Sequence, residues 1–155
     1  MDVLAGDIDI QNLTCHSASL YSTSGSVAAD GIVAWDMELE AVFGTLNGTN
    51  LSSDKVSAET CTGNIHLDGS FDTLETSTNS GSTEVNGSIG LDGSLESTSG
   101  SIHLSLSHSA ALTVHRAGSI SLNDAPADVP LRTKGAVPFS LESVFGDLVI
   151  QTADE

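Results

Sequence analysis

Positive charge is nearly missing from this chain: Lys55, Arg116, Arg132 and Lys134 stand against 21 acidic residues, a formal net charge of −17 over 155 residues. Displacing counterions from a phosphate backbone takes clustered Lys and Arg, so nucleic acid is not an expected partner. Attachment to an anionic membrane surface fails on the same ground. No stretch approaches the ~20 apolar residues of a spanning helix, so this segment is not expected to insert into a membrane. Aromatic residues make up only 4% of the chain, too few for a core built around large rings. Two cysteines imply no disulfide framework. The three prolines, Pro126, Pro130 and Pro138, all fall in one short stretch.

What the chain has instead is a repeated phrase. Leu95-Glu96-Ser97-Thr98-Ser99-Gly100-Ser101-Ile102-His103-Leu104 returns, with variations, at 20–27, 39–46, 59–67 and 141–150. Its glycines stand at 6, 25, 44, 63, 81, 100 and 118, that is, at steps of 19, 19, 19, 18, 19 and 18. So short a fixed period marks a solenoid. After the glycine the chain alternates. Ile8, Val27, Leu46, Ile65, Thr83, Ile102, Ile120 and Leu148 hold one inward position, and polar residues stand between these and the next inward set. That is the period of a strand with one buried face. Before the glycine, Leu20, Leu39, Leu95 and Leu141 alternate with Glu40, Glu96 and Glu142, and small residues (Ser22, Ala41, Thr60, Thr78, Ser97, Ser143) fill the inward place nearest the corner. The pattern predicts an all-β, single-stranded parallel β-helix (a β-solenoid) of about eight rungs of 18–19 residues, one domain over residues 1–155. Stacked at ~4.8 Å per rung it would stand roughly 35–40 Å tall. Second turn signals (Asp30-Gly31, Asn47-Gly48, Asp68-Gly69, Asn86-Gly87, Asp92-Gly93) would open the return segments.

The rhythm fails once. Gly146 follows Gly118 by 28 residues, about nine too many, and the prolines lie between them. Residues 123–138 are therefore expected to leave the column as an irregular loop, since proline cannot donate to a ladder. Phe139–Ile150 would then form the last rung. Trp35, the only tryptophan, is expected to fill the wide side of the core or plug one end, a surface recognition role being the alternative. Cys15 and Cys61 sit half a turn apart and over two rungs away from each other, too far for a disulfide, and are read as buried free thiols. Met1 leads straight into a repeat, which predicts an excised piece of a longer chain and a strand edge open to edge-to-edge self-association.

Chemistry is sparse. His66, Glu84 and His103 share one outward position on three successive rungs, so Glu84 could touch both imidazoles and a divalent cation could bridge two of these groups. The two histidines would be ~10 Å apart and no fourth ligand is evident, so a solvated ladder is the favoured reading. Trp35, Arg132 and Lys134 are the candidate contact residues for a partner. Polysaccharide lyases and hydrolases use β-solenoids too, and Asp68, Asp72 and Asp92 are the carboxylates that could pair for hydrolysis. A lyase would want the clustered Lys and Arg that this chain lacks. No nucleophile elbow, phosphate loop or zinc-spaced Cys/His set occurs, so no catalytic residue and no cofactor is expected. Asn-x-Ser/Thr triplets begin at Asn12, Asn47, Asn50 and Asn86 and matter only in a secretory eukaryotic setting.

The Glu-x-x-(Ser/Thr)-x-(Ser/Thr)-Gly-(Ser/Asn)-Ile-x-Leu phrase resembles an adhesin-labelled domain of unknown function, widespread in bacterial envelope proteins. The resemblance extends over nearly the whole chain and is weakest at 123–138. It implies a right-handed coil and a non-enzymatic structural or binding module of the cell envelope or exterior, with a protein or carbohydrate partner. It brings no catalytic residues. The alternative reading is a carbohydrate-active β-helix enzyme.

Overall fold

A computed structural model describes residues 1–108, 110–116, 118–123, 125–127, 131–135 and 137–152. Every regular element among them is a strand, and all fifteen join one sheet that winds on itself. Among the described residues no helix is long and apolar enough to cross a membrane. The chain is a β-solenoid, as the period predicts.

Three faces make the coil. The face before the glycine, here the Glu face, stacks eight segments in parallel: Asp2–Val3, Ser17–Ser24, Val33–Phe43, Leu46–Thr62, Ile65–Ser80, Thr83–Ser99, Val137–Ser143 and Ala110–Arg116. The face after the glycine, here the His face, also stacks eight, from Ile8–Gln11 to Ile120–Leu122. The return face stacks only six, through Thr14, Val33, Ser52, Ser70, Ser88 and the Leu106–Ser107 segment. Complete turns therefore number about six rather than eight. Among the described residues the last two coils add no strand to the return face, and the chain after Ile120–Leu122 pairs elsewhere.

Inward residues line up as the period requires. Leu20, Leu39, Ala58, Thr76, Leu95, Leu141 and Val114 are successive register partners, and all are buried. So are Ile8, Val27, Leu46, Ile65, Thr83, Ile102, Leu148 and Ile120. Burying each large aliphatic side chain is worth ~1.5–3 kcal/mol. One to three per face per coil make a thin, continuous core.

The glycine corner is a spine of close backbone approaches. A Cβ on Gly100 (φ +148°) would lie 1.7 Å from the carbonyl oxygen of Gly81, and one on Gly146 would lie 1.9 Å from that of Gly100. Only glycine fits there. The small inward residues do more than leave room. Ser22 donates to the Gly6 carbonyl at 3.1 Å, Thr60 to Gly44 at 3.3 Å, and Ser143 to Gly100 at 3.1 Å. These hydroxyls satisfy carbonyls that the bend turns inward, as buried polar groups require.

Two expectations need correction. Phe139–Ile150 is not the last rung. Leu95 pairs with Leu141 and Leu141 with Val114, while Ile102 pairs with Leu148 and Leu148 with Ile120. The C-terminal coil has slid between the Gly100 coil and the Gly118 coil, so the stack runs 6-25-44-63-81-100-146-118 by glycine. The near identity of residues 141–146 to 39–44 suits an interior place, where both ladders must be matched.

Nor do residues 123–138 simply leave the column. Ala125–Ala127 runs antiparallel to Ile120–Leu122, and Leu131–Arg132 antiparallel to Thr113 and Val114. Thr133 completes this seal. Its Oγ1 donates to the Ala110 carbonyl at 2.7 Å and accepts from the Leu112 amide at 2.9 Å. An exposed parallel edge invites foreign strands, and here the chain covers its own. Pro126 is compatible with pairing because this is an outermost strand, free to face water with the side that cannot donate. Pro130 lies outside the described residues.

Of the second turn signals, Gly31 does turn with positive φ, stacked on Asn12. Asn47-Gly48, Asp68-Gly69 and Asn86-Gly87 lie inside strands. In the Gly44 coil the bend falls later, at Asn50 (φ +52°).

Candidate binding faces

On the Glu face, outward residues form two adjacent columns. Tyr21, Glu40, Glu59, Ser77, Glu96 and Glu142 are successive partners in one, and Ser19, Glu38, Ser57, Glu75, Ser94 and Ser140 in the other. Carboxylates a coil apart repel. The Glu40 carboxyl is held above the ordinary carboxylate range, first by burial and then by Glu59 and Glu38. Serines interleaved in the second column dilute that repulsion, and Ser19 donates to Glu38 at 3.1 Å.

On the His face, the predicted stripe is real. His66 pairs with Glu84 and Glu84 with His103, and His66 Nδ1 lies 3.3 Å from Glu84 Oε2. The other Glu84 oxygen accepts from Asn86 at 3.3 Å. This is the one contact between an acidic and a basic side chain among the described residues. The intercalated coil changes what comes next: Val149 sits beyond His103. Glu84, Asn86, His103, Ser105, Val149 and Gln151 line a shallow groove of about 160 Å³. Among the described residues no group of three His, Cys, Asp or Glu is placed to hold a metal ion. A cation at His66, Glu84 and His103 finds no support in this geometry.

Trp35 is not in the core. It is 65% exposed, its ring over His16 with centroids 5.4 Å apart. The reason is local. At the second corner consecutive residues face outward between buried ones, two in Ala34-Trp35-Asp36-Met37 and Ser53-Asp54-Lys55-Val56 and three in Ile89-Gly90-Leu91-Asp92-Gly93, and a strict alternation misassigns the first of them. Cys61 likewise is exposed and Cys15 half-buried; both thiols are free. Arg132 and Lys134 are exposed on the sealing segment, at the far end of the stack from Trp35. The three candidate contact residues do not form one site. Of the carboxylates considered for hydrolysis, Asp68 stands apart and pairs with Asn86, whereas Asp92 pairs with Thr73, the neighbour of Asp72, so that Asp72 and Asp92 lie on adjacent coils at the second corner.

One feature of the surface escaped the sequence reading. Phe43 and Phe145, each immediately before a corner glycine, are 58% and 75% exposed. The repeated Val-Phe-Gly is the signal for it, masked by the small residues (Ala, Ser or Thr) that the other coils carry there.

Residues 1–70 match the family model Toastrack DUF4097. It describes a domain of unknown function with a β-solenoid fold. The Toastrack match covers the first coils and stops short of the intercalated end, a smaller share of the chain than the sequence resemblance implied. No curated protein and no solved structure matches the chain significantly.

Proposed function

We propose that this chain is a non-enzymatic structural and binding module of the cell envelope or exterior, adhesin-like in presenting a long, flat, acidic surface to a protein or carbohydrate partner. The observation that carries the reading is the Glu face. Its in-register columns put Glu38, Glu40, Glu59, Glu75, Glu96 and Glu142 outward on a continuous parallel sheet, and no described side chain forms an ion pair with them. A flat sheet of this kind offers many weak contacts over a large area. Its charge favours partners that are neutral or basic.

The test is binding without turnover. The full chain, incubated with a panel of surface polysaccharides and basic surface proteins, should be retained by at least one and should release no sugar product. Release of new reducing ends or unsaturated ends would replace this reading with the carbohydrate-active one. Retention by none would remove the module's partner from both classes.

A further inference from the structure

We infer that the glycine corner beside the Glu face is a binding strip for a linear β-linked amino-sugar chain, held between Phe43 and Phe145. This rests on the binding-module reading above and gives it a location and a ligand class. Two residues per coil face outward just ahead of each corner glycine. From the Gly44 coil onward the outermost of them are Phe43, Thr62, Ser80, Ser99 and Phe145, successive along the stack. Beside them run Val42, Cys61, Asn79, Thr98 and Val144. Two apolar posts thus bracket three coils of hydroxyl and amide groups. The Val144–Phe145 post is present only because the C-terminal coil is intercalated. With Gly118 stacked directly on Gly100, that place would belong to Ala117.

The dimensions and chemistry select the occupant. Four coil steps separate the two rings by ~19 Å. A β-linked pyranose chain advances about 5 Å per sugar, close to the ~4.8 Å coil height, so successive sugars lie over successive coils. Sugar rings offer apolar faces to Phe and hydroxyls to Thr62, Ser80, Asn79 and Ser99. A single exposed ring is ordinary; it is the alignment of these two along one strip, with a row of hydroxyls between them, that points to a ligand. The column next to the strip carries Glu40, Glu59, Glu96 and Glu142, which favours ammonium groups and rejects uronates and sulfated chains.

The test uses the intact chain and a β-linked glucosamine hexamer, followed by titration calorimetry at physiological salt, where long-range attraction to an acidic protein is screened. Phe43→Ser and Phe145→Ser keep the charge and place at each post a residue type that other coils already hold there, so folding is retained; thermal melts check this. Each is expected to weaken binding at least tenfold, and the pair to abolish it, while Trp35→Ser leaves it unchanged. The N-acetylated hexamer should bind more weakly with the same dependence on both rings, and oligogalacturonate should not bind. The inference is overturned by absence of hexamer binding, by binding indifferent to both Phe substitutions, which is charge attraction alone, or by a lysine oligomer showing equal affinity and equal Phe dependence, which makes the occupant a basic peptide. Retention on another surface partner after loss of both rings would leave the binding-module reading standing and this one refuted.

Discussion

Thr83 occupies a position that Leu46, Ile65, Ile102 and Leu148 hold in neighbouring coils, and its buried hydroxyl has no hydrogen-bond partner; Thr76 is in the same condition between Ala58 and Leu95. An unsatisfied buried hydroxyl costs roughly 1–3 kcal/mol. Thr83→Val keeps the branched shape and removes the cost. It should raise the melting temperature by ~2–4 °C per kcal/mol gained, measured by differential scanning calorimetry; an unchanged or lower value would mean that an unseen partner serves the hydroxyl. Individual residues divide sharply in how far the sequence revealed them. Ile65, Ile102 and Leu141 were readable as interior because strict alternation on the two faces flanking the glycine leaves no other arrangement. Trp35 and Cys61 were misread where alternation is interrupted at corners and two neighbours turn outward together. Hydrogen bonding by Ser22, Thr60 and Ser143 to glycine carbonyls was hidden because smallness alone already accounted for them.

Among elements, the Glu face and the bend at Asn50 respond to acid in opposite senses. Glu40 has its carboxyl raised by burial and by Glu59 and Glu38. Its contribution to stability is therefore fully present below the ordinary carboxylate pKa and is lost as pH rises through the raised folded value. Asp30 accepts from Asn50 at 2.8 Å and from Thr49 at 3.0 Å, and its carboxyl is lowered, first by Asn50 and then by Thr49. Its contribution is present above the unfolded value and is lost as pH falls through the lowered one. Melts recorded from neutral pH downward should first rise, as Glu40 takes up its proton, and fall only at more acidic pH. In Glu40→Gln the first rise should be smaller; an identical rise would show that Glu40 is not repelled. The ladder itself was legible in the sequence as outward glutamates at a fixed offset. The raised carboxyl was not, because it depends first on how far the folded face buries it and then on which neighbour occupies the next coil.

For the whole molecule, the order of coils matters more than their number. A terminal coil in a solenoid shares one interface, an interior coil two. Residues 137–152 pair on one side with Gly93–Ser97 and Ile102–Leu106 and on the other with Ala110–Arg116 and Ile120–Leu122. Deleting residues 137–152 should therefore lower the melting temperature more than deleting residues 1–11, which pair on one side only. Equal losses would place the C-terminal coil at the end of the stack after all. That the chain is a solenoid could be read from its period, since equal spacing has few other physical solutions. The intercalation could not, because a nearly perfect repeat fits equally well before or after its neighbour. Sealing by Thr133 was concealed beneath a proline-rich composition that normally signals a loop.

Arrays of this kind evolve by duplicating units, and here the far end is already closed by a segment that doubles back. A copied repeat can be accepted between Gly63 and Gly100, where the ladders flanking the corner glycines continue in register above and below. One appended after Ile150 would meet neighbours on both sides and no vacant edge. This protein can lengthen from its middle, and its closing cassette would have to be inherited intact each time.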